Sequence, residues 1–544
     1  MAAAVQQSRT KNSLRNTLFA AIAFVTKMLV QFSVRAVFIR YFIPEYLGVN
    51  GLFNNILTVL SLAELGVGNA IVYTMYKPVA DNDIEKIKSL VRLYRNMYLI
   101  FAGVILTVGL ALIPALPYLI KDYGATNIGV NLEVIYVIFL AQTVGGYFFA
   151  YRRALVFAYQ RNDIESKVSF AAQVVLAVAQ ILIIILWNNF YAYCVALFVC
   201  TTLDAFIVFL ISYKLFPDIK GKPQKLDKEV TKEIAKNSSA MLCHKISGAV
   251  VFSTDSIMIS AFIGSSVLGY YSNYTLVTAG LTSIVSLVVT AVKGSIGNYI
   301  STKTPEEAFR LYNSLNQGIM WLVGFLAIGA VVCFQDFILI YADNSEYVLG
   351  FSTMLLICIS FFVNQSRQIT AAFKECAGLF WNDRFRPLLE SGINLGLDFL
   401  LVRFLGINGI ILATIISMVT TAIWWEPLVL YKHYFKKPMK SFFAHYISYT
   451  VVIVFVCAIS YFACYFMPHG GIGWLIFRFV DAIILPNALF YIIFSRTKEF
   501  RYLIDVVKSI LGRKSKPQAA VESGAETVTE GDASIVDTPA DLTE

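Results

Sequence analysis

The chain has 544 residues, 58% of them apolar and only 15% charged, with a mean hydropathy of +0.67. Soluble globular proteins carry about 45–50% apolar and about 25% charged residues, so an ordinary water-soluble enzyme is excluded. The net charge of +9 does not mark a nucleic-acid binder either, because the bases are scattered between long apolar runs instead of forming one basic face.

A membrane-spanning helix needs about 20 mostly apolar residues. In chain order that pattern predicts fourteen spans: 17–41, 51–76, 96–119, 131–151, 168–187, 190–212, 238–263, 267–292, 317–341, 349–371, 387–404, 406–431, 445–467 and 473–495. Arg9, Lys11 and Arg15 precede the first run in the manner of a signal peptide. That run continues through Lys27 and Arg35 to Phe42, too long for a cleaved leader, and reads as a retained span.

Loop charge orients the spans. Alternate connections are basic: Lys77–Arg95, Arg152–Lys167, the seven lysines of 214–236, Lys293–Arg310, Arg367–Arg386, Lys432–Lys440 and Arg496–Lys516. The intervening loops are short and hold one base, Lys121. Lysine and arginine concentrate on the cytoplasmic side of membrane proteins, so both termini are expected in the cytoplasm. The stretch 513–544 should be a disordered acidic cytoplasmic tail; from Pro517 it has seven acids and no base, so the rest of the chain carries +16. Seven of the eight cysteines lie in apolar runs, Cys376 lies in a polar loop, and no C-x-x-C occurs, which predicts neither a metal site nor a disulfide framework.

The chain resembles itself at an offset of 220 or 221 residues. Leu47-Gly48 with Phe53 matches Leu268-Gly269 with Tyr274, Asn162-Asp163 matches Asn382-Asp383, and Asn188 matches Asn408. The offset covers six spans, an even number, so the halves are parallel repeats, as in transporters with a substrate path between two bundles. The predicted organisation is a six-helix lobe over 1–213, a basic linker over 214–237, a second six-helix lobe over 238–440, and two further helices with a basic segment over 441–512.

An ionisable residue at mid-membrane costs about 2.5–3.5 kcal/mol on insertion scales and usually faces an interior or aqueous path. Lys27, Gln31 and Arg35 form an i, i+4, i+8 stripe, as do Glu390, Asn394 and Asp398. Asn54, Thr58, Ser61 and Glu64 run down one side of the second span, and three turns bring His244 and Asp255 to one face, as they do Lys245 and Ser256. Arg40, Arg403, Glu426 and Arg478, nearer span ends, read as ion pairs or snorkelling side chains. A cavity holding several cations suits an anionic substrate, which makes Lys27, Arg35 and Lys245 the candidate substrate-binding residues. Glu64, His244, Asp255, Glu390 and Asp398 are candidates for polar cavity positions or for taking up a coupling Na⁺ or H⁺. Each of these groups could equally form internal ion pairs that fix helix packing. No catalytic residue and no cofactor is expected.

The segment Tyr46-Leu-Gly-Val-Asn-Gly-Leu-Phe, continuing into Leu62-Ala-Glu-Leu-Gly-Val-Gly-Asn-Ala, resembles the opening of bacterial polysaccharide repeat-unit flippases of the Wzx type. So do His244-Lys-Ile-Ser-Gly through Thr254-Asp255-Ser256, and Leu268-Gly-Tyr-Tyr-Ser-Asn-Tyr; the resemblance extends over residues 12–495. It implies the fold of the multidrug/oligosaccharidyl-lipid/polysaccharide exporter superfamily, an all-α polytopic membrane protein with two six-helix lobes in a V around a central cavity. It also implies a bacterial plasma-membrane flippase that turns an undecaprenyl-pyrophosphate-linked oligosaccharide from the inner to the outer leaflet by alternating access. A polysaccharide polymerase and chain-length machinery would be the protein partners of such a flippase, and membrane lipids its surroundings. A peptidoglycan lipid-precursor flippase or a multidrug exporter shares these features, although cationic drugs would suit a more acidic cavity. An integral-membrane polymerase or ligase would be expected to carry a substantial external loop, and every outer loop here is short.

Overall fold

The computed structural model describes residues 9–64, 67–124, 128–219, 251, 253–379 and 381–510; for 9–24, 63–64, 67–70, Asn162 and 506–510 it describes the backbone alone. Every regular element among the described residues is a helix. Apolar runs of this length have that outcome in lipid, where each backbone N–H and C=O must be satisfied within its own segment.

The first group of helices is α1 (Arg9–Tyr41), α2 (Pro44–Leu60), α3 (Val67–Ala80), α4 (Ile84–Ala111), α5 (Leu132–Ala150), α6 (Arg153–Ala158), α7 (Asn162–Trp187) and α8 (Phe190–Leu215). The second is α9 (Ser265–Thr302), α10 (Pro305–Ala342), α11 (Phe351–Ser366), α12 (Gln368–Cys376), α13 (Arg386–Leu405), α14 (Ile407–Thr420) and α15 (Ala422–Leu430), preceded by a helical stretch over 253–262. Then come α16 (Lys440–Tyr465), α17 (Ile472–Phe494) and α18 (Lys498–Ile510), all three packed on α10.

Local chemistry sets the boundaries. Asn131 and Asn189 cap α5 and α8 by accepting from the Val134 and Ala192 amides, and Thr304 with Glu307 forms a reciprocal capping box at the start of α10. Asn188 at φ 44° and Asp343 at φ 53° end α7 and α10 in the left-handed conformation that short polar side chains tolerate.

Nine helical stretches among the described residues are long and apolar enough to cross a membrane. The second predicted span is two helices, α2 and α3, with a tight turn at Ser61–Glu64, and the tenth breaks at Arg367 into α11 and α12. Hydropathy windows average over such breaks, which depend on single residues. The segment expected as a loop over Lys293–Arg310 is mostly helix, because α9 runs on to Thr302. The seventh predicted span is described only from 251, and most of the predicted linker and the whole tail lie outside the described residues.

The two groups meet along α2 and α9. A Cβ on Gly48 would collide with the Ser265 carbonyl oxygen, and one on Gly269 with the Pro44 carbonyl oxygen, so the helices approach backbone to backbone. These are the glycines paired by the internal repeat. Five further contacts fasten the same end: Ser266 Oγ donates to Glu45 (2.7 Å), the Ser265 amide to Asp122 (3.1 Å), and the Lys121 amide to the Ser260 carbonyl (3.1 Å). Arg35 donates to Ser272 Oγ (2.8 Å), and Tyr341 to the Phe32 carbonyl (2.7 Å). These hydrogen bonds between the groups, among the described residues, gather toward the end that bears the short, base-poor loops.

Candidate functional site

Next to this closed end lies a polar cavity of about 310 Å³ between α1, α2, α5, α7, α8 and α9. Its wall carries amides from four helices: Gln31, Asn50, Asn54, Gln142, Gln173 and Gln180. Gln173 and Gln180 lie seven residues apart, two turns along one face of α7. Among the described residues the single charged side chain lining it is Arg35, held toward α9 by its bond to Ser272. Tyr193 completes the wall and joins the Phe38, Phe42 and Phe190 rings that fix α1 against α8. An amide offers both donors and acceptors, so this surface matches a ligand rich in hydroxyls, while the guanidinium matches an anionic oxygen.

The opposite face of α1 borders an apolar groove of about 500 Å³. Val25, Met28, Leu29 and Phe32 from α1 face Phe325, Phe334 and Phe337 from α10, and Phe479 and Ile483 from α17 close it. Helix α9 contributes Leu281 to the groove and Leu276 to the polar cavity, so two helices carry walls of both chambers.

A third feature lies inside the second lobe. Asp255 accepts from Thr414 Oγ1 through both carboxylate oxygens (3.1 and 2.9 Å), and Asn394 Nδ2 donates to the same Thr414 oxygen (3.1 Å). Asp398 is fully buried, near enough to Asp255 to repel it, and among the described residues both its oxygens and Asn394 Oδ1 lack hydrogen-bond partners. Two carboxylates gathered with an amide and a hydroxyl, and with orphaned oxygens, form an oxygen-only nest that fits a small hard cation or a shared proton.

Glu390 sits two turns from Asp398 on the same face of α13, in a different setting. It pairs with Arg386, whose guanidinium also meets Asp383 (3.2 Å) and Glu426 (3.0 Å). Glu426 further accepts from Arg367 (2.9 Å) and Lys374 (3.2 Å), and Lys374 pairs with Asp383. Three bases thus balance three acids in a buried network joining the α11–α12 break, α12, α13 and α15. Arg478 is likewise buried against Asp336, whereas Arg40 and Arg403 are exposed.

Of the other sequence candidates, Lys27 is exposed one turn before Gln31, outside the cavity lining. The Glu64 backbone lies in the turn after α2, without a described side chain, and His244 and Lys245 lie outside the described residues. Gln142, Gln173 and Gln180 were not singled out from the sequence; glutamines recurring inside apolar runs are the signal that marks them.

The family model for polysaccharide biosynthesis proteins matches residues 13–293. The fold is similar to that of the lipid II flippase MurJ in an inward closed conformation, at 13% identity over 88% of this chain and 99% of that one, with a TM-score of 0.65. It is also similar to an inward-facing multidrug resistance MATE family transporter of the MOP superfamily, at 14% identity over 75% and 98% of the two chains, with a TM-score of 0.59. A MOP superfamily transporter from Pyrococcus furiosus aligns at 15% identity over 79% and 97%, with a TM-score of 0.51. No curated protein matches the sequence. The fold is that of the MOP superfamily, a multi-pass membrane architecture.

Proposed function

We propose that this chain, which belongs to the polysaccharide biosynthesis protein family, is a flippase for undecaprenyl-pyrophosphate-linked oligosaccharide repeat units. It carries them from the inner to the outer leaflet of the bacterial plasma membrane, with both its termini in the cytoplasm, for capsular, exopolysaccharide or O-antigen assembly. The observation that carries this reading is the pairing of chambers across α1. An amide-lined cavity with one arginine suits a glycan joined to a pyrophosphate, and the apolar groove behind it suits an isoprenoid chain. A polysaccharide polymerase and its chain-length machinery would receive the product.

Alternating access requires two states of the contact between the lobes. The present arrangement, fastened between α2 and α9 at the end with base-poor loops, is the state closed to the outside. Substrate enters from the side with basic loops, Arg35 meets the anionic oxygens, and release of the Gly48–Gly269 contact opens the other side. The Asp255–Asn394–Asp398–Thr414 nest would hold a coupling Na⁺ or H⁺ as a co-substrate, its positive charge neutralising carboxylates that are costly to bury unpaired.

The test is a reconstituted leaflet assay. Proteoliposomes holding the full chain receive labelled undecaprenyl-pyrophosphate oligosaccharide, and an impermeant glycosidase reports what reaches the far leaflet. Wild type should translocate it, and Arg35→Ala should lower the rate by about tenfold or more at equal membrane abundance, the loss of roughly one charge-assisted contact. Equal rates for Arg35→Ala and wild type would overturn the role of Arg35.

A further inference from the structure

A second basic site lies outside the path between the lobes, where α4, the turn between α5 and α6, and the end of α8 converge. The pocket measures about 490 Å³ and is lined by Lys88, Arg92, Arg95 and Asn96 on α4, facing Tyr151, Arg152 and Tyr213. The four α4 residues recur at i, i+4, i+7 and i+8, which puts them on one helix face. Lys88 also pairs with Glu85 (2.7 Å), and among the described residues the lining holds no acid.

Arg152 is the unusual member. It is only 4% exposed, its guanidinium lies 4.6 Å from the centre of the Tyr213 ring, and Nη2 donates to the Ile219 carbonyl (3.1 Å). Among the described residues Nη1 is buried without a hydrogen-bond partner. Burial pushes this guanidinium below its ordinary pKa. A buried cation with an unmade donor, lining the same pocket as three further bases, is the setting in which an anion is stabilising.

Beyond the basic rim, α4 continues as Leu99, Ile100, Val104 and Val108, all exposed and apolar. A charged pocket that opens onto an apolar helix face, at the end bearing basic loops, fits an amphiphile lying at the membrane boundary. We infer that this pocket binds the phosphate of an anionic lipid headgroup, with Arg152 and the Arg92–Arg95 pair as donors and the α4 face receiving the acyl chains. The site is separate from the substrate cavity and does not depend on the transport reading.

Native mass spectrometry of the full-length protein tests it. Wild type, Arg152→Gln and the double variant Arg92→Gln/Arg95→Gln are each equilibrated with phosphatidylglycerol, with or without excess inorganic phosphate. Both variants should retain about tenfold less phosphatidylglycerol than wild type. The double variant alters only exposed side chains, so it reads binding even where Arg152→Gln folds poorly. Displacement of the lipid by inorganic phosphate would support the same donors while identifying free phosphate as a rival source, and retention despite it would support the lipid headgroup. Equal phosphatidylglycerol retention by wild type and the double variant would overturn the site.

Discussion

At the residue scale, buried charges divide into two kinds. Glu426 meets Arg367, Lys374 and Arg386, so its charge is balanced and its removal leaves three cations short of an acid. Glu426→Gln should destabilise the second lobe by about 3 kcal/mol, the cost typical of breaking a buried ion pair. A lowered thermal midpoint of the purified protein checks this, and an unchanged midpoint would show that the network is not structural. Among the described residues Asp398 has no such balance, since its neighbour Asp255 is a second carboxyl group and its own oxygens are orphaned. Asp398→Asn keeps the shape and removes the charge. Transport by this variant should lose its response to an imposed Na⁺ or H⁺ gradient, and a full response in the reconstituted assay would exclude the nest as the coupling site. Periodicity made much of this legible: the Glu390, Asn394 and Asp398 stripe is buried along its length. Nothing in the spacing showed that Glu390 meets Arg386 while Asp398 faces Asp255, because those contacts are set by which helices pack together.

Among elements, the α2–α9 pair carries the contact between lobes. Two glycines let the backbones touch, and a larger side chain has no space there. Gly48→Leu should prop the outer end open. In a cysteine-free background, a Glu45→Cys/Ser266→Cys pair replaces side chains now joined by a 2.7 Å hydrogen bond and should cross-link readily. Adding Gly48→Leu should largely abolish that cross-link; undiminished cross-linking would mean the glycines are not needed for closure. The repeat was readable as Leu47-Gly48 against Leu268-Gly269, but that the two copies would face each other across the molecule was not. Self-similarity reports equivalence, and contact depends on where the symmetry axis falls. The breaks at Ser61–Glu64 and Arg367 were also hidden, since a run of apolar residues reads alike whether it forms one helix or two.

For the whole molecule, composition and the long apolar runs sufficed to recognise an all-helical multi-pass membrane protein. Three-dimensional placement adds the division of labour around α1, with amides and Arg35 on one side and an apolar groove on the other. The six amides of the cavity come from α1, α2, α5 and α7, so no local window of sequence contains them together. Such a cavity, paired with such a groove, is the arrangement expected of a protein that moves a polar head while its tail stays in lipid. The direct test is translocation itself, in proteoliposomes containing only this chain and labelled undecaprenyl-pyrophosphate oligosaccharide. The account predicts protein-dependent appearance of the glycan in the opposite leaflet, sharply reduced by Arg35→Ala. Glycan that stays in its starting leaflet, with the protein folded and correctly inserted, would contradict it.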